Sequence, residues 1–110
     1  MIRAIKRTKQ VRRDIIDIYT YIGLRNVDAA ERVVDAIERC IKGLAKFSGI
    51  GRLWSSSHPR LSGMRVAPVL PYRNYLIFFR PIENRVEIYR VVHGARQLER
   101  IVEEIQLDFE

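Results

Sequence analysis

The chain has 110 residues, 47% of them apolar, and carries 20 lysines and arginines against 13 aspartates and glutamates, a net charge of +7. That length suits one domain, residues 1–110, with one core, and its single cysteine excludes an internal disulfide and a cysteine-based metal cluster. The positive excess suits an acidic partner, whether nucleic acid or a negatively charged protein segment.

The opening stretch MIRAIKRTKQVRR is as basic as the start of a signal peptide. Asp14 and Asp17 fall where an apolar segment would have to follow, so a signal peptide is not expected. The run LIFF at 76–79 is far too short to span a bilayer, and a cytoplasmic protein with no membrane partner is expected. A first strand fits residues 2–6. Val11, Ile15, Ile18, Tyr19 and Ile22 then recur with the spacing of an amphipathic helix. Gly23 to Val27 break that pattern, and Asp28 with Glu31 resembles a capping box opening a second helix. Ala30, Val33, Ile37, Ile41 and Leu44 line one face of it, with Cys40 as a packed thiol among them. The helix is expected to end near Phe47, with Gly49 in a left-handed cap.

GIGRLWSSSHPRLSG (49–63) reads as a loop in which Trp54 packs over the edge of the core and His58 is a surface histidine. Three strands are expected over 64–70, 75–80 and 85–92. YLIFF is apolar on both faces, as a central strand is, and Glu83-Asn84 suits a tight hairpin turn. After Gly94, helical spacing returns at Leu98, Ile101, Val102 and Ile105. The expected fold is α+β in the order β-α-α-β-β-β-α, with a small, mainly antiparallel sheet packed on an N-terminal helical hairpin. The hairpin can cover only one face of that sheet. The other face needs the C-terminal helix, another protein, or both.

YRVVHGARQ (89–97) is the stretch with chemical potential. A free histidine side chain titrates near neutrality, so His93 could act as a general base, yet no nucleophile or carboxylate adjoins it in sequence. A corner in which the His93 ring ties the strand end to the following helix is the simpler reading, with Gly94 allowing the turn or a close approach. Arg96 is then placed to hold an anion.

In order and spacing, RDIIDIYTYI (13–22), DAAERVVDAI (28–37), GIGR (49–52), LSGMR (61–65), YLIFFRP (75–81) and VEIYRVVHGARQ (86–97) resemble the ParE/RelE toxin family of type II toxin–antitoxin systems, over nearly the whole chain. The last stretch is similar to a ParE ending, except that Gln97 stands where ParE usually has Asp, so a contact made by that Asp is not carried over to this chain. The resemblance implies two chemistries. RelE-like members cut mRNA on the ribosome, whereas ParE-like members poison DNA gyrase and are not nucleases. RNA cleavage through a 2′-hydroxyl needs a base, an acid and cations for the phosphate. Here MRVAPVL has no lysine, Leu76 or Ile77 stands where a sheet arginine would be expected, and ERIVEEIQLDFE has neither Tyr nor His, so only Arg96 matches the nuclease set.

The resemblance therefore implies a non-enzymatic ParE-like toxin with no catalytic residue, metal or cofactor. Its expected partners are DNA gyrase and an acidic, partly disordered ParD-like antitoxin, with operator DNA reached only through the antitoxin complex. Candidate target-binding residues are Arg90, His93 and Arg96. Candidate antitoxin-binding residues are Arg65, Arg73, Leu76, Phe78 and Arg80. The alternatives are a RelE-like ribosome-dependent mRNA endonuclease, and an inactive homologue that serves only as antitoxin partner and co-repressor.

Overall fold

The computed structural model describes residues 2–110. Strand β1 (Ala4–Arg7) leads into helices α1 (Lys9–Gly23) and α2 (Val27–Lys46); β2 (Arg52–Leu53), a 3-10 turn (Pro59–Leu61), β3 (Arg65–Pro68), β4 (Tyr75–Ile82), β5 (Arg85–His93) and α3 (Leu98–Glu103) follow. The strands make one five-stranded mixed sheet in the order β1-β5-β4-β3-β2. β1 runs parallel to β5, and the other neighbours are antiparallel. The expected α+β order holds, with one addition: two residues of the expected 49–63 loop pair with β3 as an edge strand.

The two-faced apolarity of YLIFF has a direct cause. Ile77 and Phe79 face α1 and α2 in a core with Ile37, Ile41, Leu44 and Ile88. Phe78 faces the opposite side and lies in a second core with Leu61, Met64, Tyr89, Ile101 and Val102. The face left uncovered by the hairpin is thus closed by α3 and by the loop carrying Trp54, whose ring meets Phe78 edge-on at 5.2 Å. Cys40 packs beside the helix-side core, and its sulfur accepts the Leu70 N–H at 3.4 Å.

Some local expectations are corrected. Asn26, not Asp28, caps α2: its side chain accepts the Ala29 N–H at 3.0 Å, which leaves Asp28 in the first turn, where a carboxylate favours the helix dipole. α2 ends at Phe47 without a left-handed Gly49; the positive φ belongs to Gly51, at 80°. A Cβ at Gly51 would come within 2.6 Å of the Val66 carbonyl, so the close pairing of β2 with β3 demands glycine there. Tyr19 remains on the exposed side of α1 while Ile15, Ile18 and Ile22 pack inward. The Glu83-Asn84 turn is present, with Glu83 at φ 56°.

Candidate functional site

β5 is the strand that organises the site. β1 accompanies it only from Arg85 to Ile88. The register with β4 slips between Phe78 and Phe79, pairing Phe78 with Arg90 and Phe79 with Ile88, so Tyr89 is an extra, bulged residue. Beyond the bulge no strand among the described residues flanks β5 on its β1 side, and side chains from the start of α1 take over. Thr8 Oγ1 donates to the Tyr89 carbonyl at 2.8 Å while also capping α1 through the Val11 N–H. Asp14 Oδ2 accepts the Val91 N–H at 3.0 Å, the bond a neighbouring strand would otherwise have made.

Asp14 is 4% exposed, and its charge is matched by Arg90, whose Nε and Nη2 reach its two oxygens at 2.8 and 2.9 Å. A buried carboxylate is tolerated when it is paired and its remaining acceptors are filled. Arg90, expected to contact a target, is therefore committed to holding α1 against β5. The sequence reading missed Asp14 as a structural element, although the signal was present: it sits at i+3 from Val11 and i−4 from Ile18, on the apolar stripe of α1.

Past this pair, α1 and the end of β5 border a groove of about 540 Å³. Its walls include Ile18 and Tyr21 from α1, Tyr75 from β4, Val91 and His93 from β5, and Ala95 and Arg96 from the turn. Asp17 and Arg96 bring opposite charges to it, and both are exposed. His93 and Tyr75 stack edge to face at 5.2 Å. Burial, followed by the neighbouring Tyr21, pushes the Tyr75 phenol above its ordinary pKa.

The expected His93 corner is present. His93 Nδ1 accepts the Ala95 N–H at 3.0 Å, and the Arg96 N–H closes onto the His93 carbonyl at 3.1 Å. With Nδ1 engaged as an acceptor, the neutral ring carries its proton on Nε2 and offers a donor, the wrong form for a general base. Gly94 does not have a positive φ; its N–H meets the Asn74 carbonyl at 2.6 Å, and a Cβ there would sit at ordinary contact distance, 3.4 Å, from that oxygen.

The structure thus brings His93 and Arg96 to one groove and places Arg90 behind it. The residues expected at an antitoxin surface are dispersed. Phe78 is fully buried beneath Trp54 and the α3 side of the sheet, so it offers nothing to a partner, contrary to expectation; the chain's own C-terminal helix fills the face that it occupies. Leu76 is half-buried at the rim of the same core. Arg80 donates to the Ser62 carbonyl at 3.1 Å and pairs with Glu87 at 3.7 Å, while Arg65 donates to the Gly51 carbonyl at 3.3 Å. Arg73 is exposed in the β3–β4 loop. Among the described residues no group of His, Cys, Asp and Glu is arranged to hold a metal ion, and no helix is long and apolar enough to cross a membrane.

The sequence of residues 5–98 matches the family described as the ParE toxin of the type II toxin–antitoxin system parDE. The chain belongs to the ParE toxin family. A solved structure titled as the chromosomal ParDE toxin–antitoxin system from P. aeruginosa is similar to it, at 22% identity, with a TM-score of 0.66 over 84% of this chain and 96% of the other. At that identity the likeness supports the fold. No curated protein matches the sequence. The match ends at Leu98, so it takes in both sides of the groove, from α1 to the His93–Arg96 turn, and leaves most of α3 outside.

Proposed function

We propose that this ParE-family protein poisons DNA gyrase by binding it, without catalysis of its own, and is silenced in the cytoplasm by a cognate antitoxin. Family membership supplies the toxin–antitoxin frame. The observation that favours binding over RNA cleavage is the state of the His93 corner. Its Nδ1 is engaged by a backbone N–H, the nearby Arg90 is neutralised by Asp14, and Ile77 on the adjoining strand is buried in the helix-side core. Arg96 is left as an exposed cation beside a groove walled by Ile18, Tyr21 and Tyr75, an arrangement suited to holding a protein segment, and it is the one arginine among the groove's lining residues that a cleaved phosphate could meet.

The antitoxin is read as an acidic, partly disordered segment that meets Arg65, Arg73, Arg80 and the rim at Leu76, with operator DNA bound only through that complex. Ion pairs there would assist encounter and specificity. Purified protein, added to gyrase with supercoiled plasmid, should raise the yield of linear DNA released by detergent and protease. It should leave mRNA on translating ribosomes free of new codon-phased cuts by primer extension. Codon-phased cuts lost in Arg96→Ala would instead establish the nuclease; inertness in both assays would favour a homologue that only partners the antitoxin.

A further inference from the structure

We propose that the groove between α1 and β5 receives an extended segment of the toxin's protein target, which joins the open edge of β5 as an added strand. The inference rests on reading the protein as a target-binding toxin, and it specifies how the target is held. In an antiparallel ladder, a residue's N–H and C=O point to the same side. Val91 directs its N–H to Asp14 on the α1 side, so its C=O faces that side too. His93 stands two residues on and has the same orientation, its C=O accepting the Arg96 N–H. The Val91 C=O and the His93 N–H are consequently the edge groups of β5 that face the groove with no strand neighbour among the described residues. They bracket Val92 as a parallel neighbour requires, one accepting and the other donating to a single residue of the incoming segment.

The surroundings suit such an occupant. The groove's volume of about 540 Å³ has room for a short run of residues beside the edge. Ile18, Tyr21 and Tyr75 offer apolar and aromatic surface for one of its side chains, and Asp17 and Arg96 provide opposite charges for its polar ones. That charge balance argues for the target over the antitoxin. A strongly acidic segment would be repelled by the exposed Asp17 at the groove's rim, whereas a target segment of mixed charge can meet both Asp17 and Arg96. Because α1 stands over the edge through Asp14, the site admits a single strand end and not a second sheet, which also protects the edge from indiscriminate pairing.

The test uses Ala95→Trp, which fills the groove, and Tyr21→Ala, which removes one wall; both residues are exposed, so both variants should keep the thermal transition of the parent. In the gyrase–plasmid assay, linear DNA should fall about tenfold or more for Ala95→Trp and severalfold for Tyr21→Ala, the scale of losing a central interface contact. Hydrogen-exchange mass spectrometry of the complex with gyrase should show slowed exchange at the backbone of His93. Plasmid cleavage by both variants within about twofold of the parent, or unchanged exchange at His93 in a formed complex, would overturn the proposal. If the parent protein leaves gyrase unaffected, the gyrase reading fails on its own. Growth arrest on expression then decides the groove: loss of arrest in folded Ala95→Trp supports it, and undiminished arrest overturns it.

Discussion

The two halves of β5 are bordered in different ways. From Arg85 to Ile88 the strand has β1 alongside, and its outward backbone groups are satisfied by another backbone. From Tyr89 onward the flank is α1, and the same task falls to two side chains, Thr8 and Asp14. A strand partner supplies a donor and an acceptor at every second residue, whereas a carboxylate supplies acceptors only. Asp14 can therefore satisfy the Val91 N–H and leave the neighbouring C=O free. Replacing a strand by a helix is what opens an edge at one end of an otherwise covered sheet, and that end is where His93 and Arg96 meet the groove.

If the second half depends on one buried carboxylate, removing it should produce the largest effect. Asp14→Ala strands the Arg90 guanidinium and the Val91 N–H together, and should cost about 3–5 kcal/mol in urea unfolding. A loss below about 1 kcal/mol would mean that the pair is solvated in solution and the comparison fails. The first half should respond through packing instead. Ile88 is fully buried, and Ile88→Ala should cost about 2–4 kcal/mol through the cavity it leaves. It should do so while leaving exchange at Val91 unchanged relative to global unfolding. Thr8 touches both regimes, since it caps α1 and bonds to Tyr89. Thr8→Val, which keeps the shape and deletes the hydroxyl, should cost about 1–2 kcal/mol.

The smallest effect concerns β1 itself. Arg7 pairs with Glu38 at 2.6 Å, and this contact, against some opposing burial, holds the Glu38 carboxyl below its ordinary pKa. A lowered folded-state pKa gives stability that is present above the unfolded value and lost as pH falls through the folded one. Glu38→Gln should accordingly lower stability slightly at pH 7, by no more than about 1 kcal/mol, and flatten the acid limb, so that variant and parent converge as pH falls through the folded-state value. With the Glu38 side chain 37% exposed, the effect should shrink further in salt.

Much of this architecture was legible in the sequence because periodicity reports directly on burial. The 3.6-residue stripe through Ile37 and Ile41, and the two-sided apolarity of YLIFF, each have one structural solution at this length. The His93–Gly94 corner was legible for a similar reason: a strand pattern stops beside a glycine and a helix follows. Contacts between distant segments were not legible. Asp14 and Arg90 lie 76 positions apart, and nothing local to Arg90 distinguishes a structural guanidinium from one awaiting a ligand. Nor could periodicity show that α3 and Trp54 cover Phe78, because an apolar face reads the same whether its cover is the same chain or a partner. The groove itself joins α1, β4 and β5, so Tyr21 and Tyr75 acquire a shared role only through the tertiary fold.

The open edge can be measured in the free protein by residue-resolved amide hydrogen exchange under native conditions. Val91, bonded to the buried Asp14, should exchange only through large-scale opening, with protection approaching the global unfolding free energy. His93, two residues on and facing the groove without a strand beside it, should exchange faster by about two orders of magnitude or more. Equal, high protection at both amides would show that the edge is closed within the protein itself, and would contradict the account of β5 on which the site is built.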